Sequence, residues 1–156
     1  MSDTALLEEL DRARTVYEVL PHARTETAAA EASELGVPAD DVAKTIVVES
    51  RAGAVRVAIP ASERLDLRKL RMVLGSSGKL RLATEEELES DYPEFELGSV
   101  PPVGGAHRDP VVVDRRLTEH AKVVLEAGTH GESVRLRTAD LLLVSRAIVA
   151  DVCCDD

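Results

Sequence analysis

The chain has 156 residues, with 19 basic against 29 acidic side chains, a formal charge of −10. That length predicts a single domain, residues 1–156, able to bury about two-thirds of its unfolded surface without a disulfide or a metal. Its three aromatics, Tyr17, Tyr92 and Phe95, are too few for the stacking platforms of aromatic single-strand binders, so Val, Leu, Ile and Ala must build the core.

Residues 1–10 are acidic and helical in character and lack the basic flank and apolar run of a signal peptide. No apolar run reaches the roughly 20 residues that cross a bilayer, so a cytoplasmic protein without a membrane partner is expected. A first helix is predicted from Thr4 to about Arg14, and a short strand over Val16–Leu20. Thr27 has the chemistry of an N-cap for AAAEASEL, and Gly36 with Pro38 stops that helix. Thr45–Ser50 and Ala54–Ile59 are β-branched runs joined by Arg51-Ala52-Gly53, a hairpin signal. Asp66 opens the helix LRKLRMVL and Gly75 ends it. Lys79–Ala83 reads as a strand. Thr84 with Glu87 has the capping-box form, so a short helix runs to about Asp91. Phe95–Leu97 is a further candidate strand, followed by a Gly/Pro loop over Gly98–Gly105. Val111–Val113, Lys122–Glu126, Ser133–Arg137 and Ala147–Val152 read as strands, with a turn at Gly128–Gly131 and a helix capped by Thr138 and running to about Arg146. Irregular alternation of hairpins and single helices predicts an α+β fold with a mixed sheet.

Charge is unevenly spread. From Arg56 to Arg81 seven basic residues face Glu63 and Asp66, a net of 7 − 2 = +5, whereas Glu85–Glu96 holds seven acids and no base. The basic segment reads either as a solvated face or as a local polyanion site. The acidic run suits the first turn of a helix, where the dipole favours carboxylates.

The usual catalytic constellations are missing. His22, His107, His120 and His130 are widely spaced, so no metal is expected. No glycine-rich phosphate loop is present, so no nucleotide cofactor is expected, and no G-x-S-x-G elbow points to a serine hydrolase. Cys153 and Cys154 are adjacent and read as inert thiols. What stands out is Lys44, an ammonium placed at the start of an apolar strand, where burial without a partner is costly. Two loops complete the picture: Gly98-Ser99-Val100-Pro101-Pro102, whose backbone amides can be exposed, and Gly128-Thr129-His130-Gly131, which offers one imidazole.

The order of several stretches resembles the YbaK-type family of aminoacyl-tRNA editing domains, which also occurs inserted in bacterial prolyl-tRNA synthetases. The stretches are His22 with Thr25, Thr27 and the Ala-rich helix to Val37, then Val42-Ala43-Lys44-Thr45-Ile46-Val47, then Pro60-Ala61 before Arg64–Leu70. They continue with Ala83–Leu88, Glu96–Gly104, and Thr138-Ala139-Asp140-Leu141-Leu142. The resemblance spans residues 16–152. It implies a barrel-like mixed sheet flanked by helices, and a trans-acting deacylase that cleaves the ester of mischarged tRNA without a cofactor. A synthetase is a possible protein partner, and DNA is not one. Lys44, Gly98 and Pro102 take the positions of the family's functional lysine and glycine-x-x-x-proline loop. His22, Thr25, Thr45, Ser99, Val100 and His130 are the implied substrate contacts. With tRNA as substrate, Arg64, Arg68 and Arg71 become candidate phosphate contacts, placed at i, i+4 and i+7 on one helix face. The alternatives are a non-catalytic tRNA- or synthetase-binding module on the same fold, and an unrelated acidic interaction protein.

Overall fold

The computed structural model describes residues 5–75, 78–106 and 108–155; Thr4 and His107 fall outside them. Helix α1 (Ala5–Arg12) buries Leu6, Leu7 and Leu10. Each such leucine contributes roughly 1.5–3 kcal/mol of transfer free energy. Strand β1 (Tyr17–Pro21) leads to α2 (Ala28–Leu35). The Thr27 hydroxyl accepts from the Ala30 amide, and Gly36 closes the helix in the left-handed conformation. A short 3-10 turn at Ala39–Asp41 then feeds the hairpin β2 (Ala43–Ser50) and β3 (Gly53–Pro60).

Helix α3 (Leu67–Leu74) is capped by Asp66, which accepts from the Arg68 and Lys69 amides. Strand β4 is only Arg81–Leu82, and α4 (Glu85–Asp91) carries the complete Thr84–Glu87 capping box. Strand β5 (Val111–Asp114), a 3-10 turn at Arg115–Glu119, β6 (Lys122–Thr129), β7 (Glu132–Arg137), α5 (Thr138–Ser145) and β8 (Ile148–Ala150) follow.

The strands form two sheets: β1-β7-β6, and β4-β2-β3-β5-β8. The smaller is antiparallel. The larger is mixed, because β5 pairs parallel to both β3 and β8. A parallel bridge between Val42 and Val124 joins them. Among the described residues the expected barrel-like sheet is therefore two sheets that meet at one bridge. Alternation along β2 and β3 sorts the apolar side chains: Val48, Val55, Val57 and Ile59 pack with Leu70 of α3, while Ala43 and Ala58 join the core under α1.

Two expectations fail for tertiary reasons. Phe95–Leu97 forms bends and turns, not a strand, because the Phe95 ring is buried against Gly128 and, among the described residues, a single backbone–backbone bond reaches across, from the Glu96 amide to Gly128 O at 2.8 Å. A Cβ on Gly128 would lie 2.6 Å from Phe95 Cδ1, so this close approach requires glycine. Thr138 opens α5 without capping it; its hydroxyl donates to His120 O at 2.7 Å.

Candidate functional site

The first half of β2 borders a small cleft of about 50 Å³. Lys44 and Thr45 of β2, Gly98, Ser99 and Val100 of the following loop and Glu126 of β6 line it, with Ala28 and Ala43 completing the wall. Strand β4 covers the β2 edge only at Val48 and Glu49, which leaves the Lys44 end open to the loop and to β6. The Lys44 ammonium donates to Ala61 O at 3.3 Å. Among the described residues no carboxylate neutralises it, so its charge is available to an incoming group.

Gly98 has φ +84°, and a Cβ there would make only ordinary contact, 3.6 Å, with the His130 ring. Glycine is needed for the left-handed backbone, not for lack of room. The Ser99 amide and hydroxyl both donate to Glu96 O, at 3.0 and 2.9 Å. Pro102 stands apart from the cleft. It is buried and lines a separate groove of about 610 Å³ with Arg56 and Arg108.

Behind the cleft lies His130, 2% exposed. Its Nε2 is 2.7 Å from Leu97 O; a carbonyl can only accept, so Nε2 carries a proton. Its Nδ1 has no hydrogen-bond partner and lies 3.4 Å from Glu126 Oε2. The His130 amide donates to Glu96 Oε1 at 2.9 Å, and with Arg24 this holds the Glu96 carboxyl below the usual carboxylate range. Glu126 is treated in the opposite way. Burial, then the nearby carboxylates of Glu31, Glu26 and Glu96, push it up to about 8.

His22 and Thr25 form the layer beyond, not the cleft wall. Their amides donate to Gly131 O and His130 O, tying this loop to the β6–β7 turn. The His22 ring spans Ala23 O and Ser133 Oγ, and Ser133 in turn donates to the fully buried Glu31, whose carboxyl burial pushes up. Thus Lys44, Thr45, Gly98, Ser99 and Val100 come together, with His130 directly behind Gly98. His22, Thr25 and Pro102 do not line the cleft.

Sequence reading missed Glu126 and Glu31. The signal for Glu126 was present: it shares the strand face of Val124, buried beneath α2 with Ala32 and Val42, where alternation calls for an apolar residue.

The basic segment also needs correction. Arg56 is 1% exposed and belongs to the interior. Lys69 is held by Asp151, Asp155 and Cys153 O, and Arg81 pairs with Glu87. Arg64 precedes the Asp66 cap and so is not on α3, although Arg64, Arg68 and Arg71 are all exposed. The +5 is therefore a property of the sequence more than of the surface. Cys153 is fully buried, and burial pushes its thiol up to about 12, away from thiolate chemistry.

Residues 22–143 match the aminoacyl-tRNA editing domain family. A protein of Enterococcus faecalis, EbsC, named provisionally as a Cys-tRNA(Pro)/Cys-tRNA(Cys) deacylase, is 25% identical over 122 residues, 78% of this chain and 73% of EbsC. A crystal structure described provisionally as a trans-editing enzyme for prolyl-tRNA synthetase superposes with TM-score 0.87 at 28% identity, covering 99% of each chain. The fold alone recurs in a longer Marinobacter aquaeolei protein described provisionally as acting in signal transduction. The TM-score is 0.75 at 17% identity, over 99% of this chain and 31% of that one. Among the described residues no helix is long and apolar enough to cross a membrane.

Proposed function

The chain belongs to the aminoacyl-tRNA editing domain family, and from that premise we propose that it is a trans-acting deacylase that hydrolyses the ester of mischarged tRNA. The observation that carries this reading is the cleft in which the unneutralised Lys44 meets the Gly98–Val100 backbone. Ester hydrolysis needs a positioned carbonyl, a water and a donor for the oxyanion. Lys44 holds the terminal adenosine phosphate or polarises the carbonyl. The Ser99 amide is committed to Glu96 O, so the amides of Gly98 and Val100 are the donors left to meet the developing charge. One such donor supplies roughly 3–4 kcal/mol. The vicinal ribose hydroxyl orients the attacking water; the ester C–O bond breaks, and the ribose oxygen leaves with a proton. Pro102 stiffens the far end of the loop, and His22, Thr25 and His130 hold the cleft wall from behind.

Arg64, Arg68 and Arg71 are proposed contacts to acceptor-stem phosphates, which position the RNA without reading its sequence. A synthetase that releases the mischarged tRNA is the implied protein partner, and the cytoplasm the implied compartment. The names of the relatives make tRNA(Pro) carrying a small amino acid the first substrate to try. The test is a panel of tRNA(Pro) charged with Cys, Ala or Ser, plus cognate Pro-tRNA. At least one mischarged species is expected to lose its amino acid faster than the uncatalysed control. Failure on every member of this and a wider mischarged panel would favour the non-catalytic binding module.

A further inference from the structure

We propose that Glu126 is a specificity residue that binds the α-ammonium group of the aminoacyl ester; this rests on the deacylase reading above. The cleft contains one cation, Lys44, and one carboxylate, Glu126, contributed by different elements, β2 and β6. An aminoacyl-tRNA end has the complementary pair, an ester beside phosphates and a free ammonium one carbon away. With Lys44 engaged by the ester or phosphate side, Glu126 is the group left for the ammonium.

The polar accounting supports this assignment. Buried polar atoms are nearly always hydrogen-bonded, and those that are not need an explanation. Here two facing atoms lack partners, Glu126 Oε2 and His130 Nδ1, and the His130 side chain is only 2% exposed. The charged groups around Glu126 are predominantly acidic: Glu31 from α2, Glu26 from the loop before it and Glu96 from the 98–105 side. Thr25 Oγ1 and Glu31 Oε1 are likewise unsatisfied. Among the described residues, the Glu126 side of the cleft therefore offers acceptors and negative potential, while the one lining cation, Lys44, is engaged on β2. The elevated proton affinity of Glu126 expresses the same deficit: an arriving ammonium takes the place of the proton that otherwise balances the carboxyl. A volume of about 50 Å³ is a few times the roughly 10–15 Å³ that one water needs, so it suits an ammonium with a small side chain.

The experiment compares the best mischarged tRNA from the panel with its N-acetylated form, using wild-type protein, Glu126→Gln and Glu126→Asp. Wild type is expected to prefer the free amine by at least tenfold in kcat/KM. Glu126→Gln should lose at least tenfold on the free amine and change less than twofold on the N-acetyl substrate, removing the preference. Glu126→Asp, which keeps the charge but withdraws it, should fall between. Equal losses on both substrates would show that Glu126 only supports the wall through His130, and would overturn the proposal. No loss on either would overturn it as well. Wild-type inactivity toward every free-amine substrate would instead refute the deacylase reading, while wild-type hydrolysis with an unchanged preference in Glu126→Gln would refute this inference alone.

Discussion

Two buried ionisable groups sit beneath the same loop and are treated in opposite ways. Under its far end, Arg56 donates to Asp109 at 3.0 Å, to Pro101 O at 3.0 Å and to Gly104 O at 2.8 Å, and its guanidinium lies 4.9 Å from the Tyr92 ring centroid. Tyr92 completes the group by donating to Asp109, and burial together with that bond pushes its hydroxyl up. Under the near end, Glu126 has an unpartnered oxygen facing an unpartnered imidazole nitrogen. The first charge is compensated and fixes backbone. The second is balanced only by the proton it retains, and it borders the cleft. A buried charge held by a counter-ion and several carbonyls acts as scaffold, whereas a buried polar group left short of a partner calls for an explanation, here the proposed ligand.

The largest effect should come from breaking the satisfied side. Arg56→Met strands Asp109 without its cation, and removing one member of a buried pair costs about 3–5 kcal/mol. At about 2–4 °C per kcal/mol for a chain of this size, the thermal midpoint should fall by roughly 6–20 °C in calorimetry. Restoring neutrality with Asp109→Asn in the same chain should recover part of that loss. A midpoint within 2 °C of wild type would show that the Arg56 network does not fix the loop.

The unsatisfied side should behave inversely with pH. The Glu126 carboxyl is raised to about 8 in the fold, from an ordinary 4.5. Between those values the native state holds a proton that the unfolded chain has lost. Stability should therefore fall as pH rises from about 4.5 through 8, by up to roughly 1.4 kcal/mol per unit. Glu126→Gln should remove that slope and gain stability relative to wild type at pH 7.5 but not at pH 4.5. Parallel denaturation curves for the two proteins across this range would contradict the assigned burial.

Lys44 lies between the extremes, a cation resting on one carbonyl. Lys44→Ala should reduce deacylation at least about tenfold, equivalent to about 1.4 kcal/mol of barrier, with the midpoint nearly unchanged. Full activity in single-turnover assays would remove it from the mechanism.

The smallest effects belong to exposed arginines. Changing Arg64, Arg68 and Arg71 together to Ala should weaken tRNA binding and lower its salt slope by roughly 0.7–0.9 per lost contact. Cleavage of a minimal aminoacyl-adenosine should be spared. An unchanged slope would return these arginines to an ordinary solvated surface.

The caps and hairpins were legible because their causes are local. Thr27, Asp66 and Thr84 each satisfy amides within their own first turn, and Gly36 and Gly75 adopt the left-handed conformation directly after their helices. The hairpin of β2 and β3 follows from two β-branched runs around a tight turn. The cleft was partly legible: Lys44, Thr45 and Gly98–Val100 were nameable from their chemistry and order. Arg64 was placed on the face of a helix it precedes: its i, i+4, i+7 spacing with Arg68 and Arg71 was followed across Asp66, although Asp66 itself was legible as the cap.

What the sequence determined by itself was the series of local elements, the Gly/Pro loop over Gly98–Gly105 and the lysine near the start of β2, since each depends on residues within a few positions. What only the tertiary structure decided was the charge state of its neighbourhood. Arg56 became a scaffold because Asp109 and two loop carbonyls converge on it. Glu126 became a candidate ligand group because Glu31 of α2, Glu26 before it, Glu96 and the His130 imidazole of the β6–β7 turn gather around it, and among the described residues its Oε2 finds no donor. Desolvation and Coulomb energy depend on distance in space, and residues 31, 96 and 126 are neighbours only after the chain has folded.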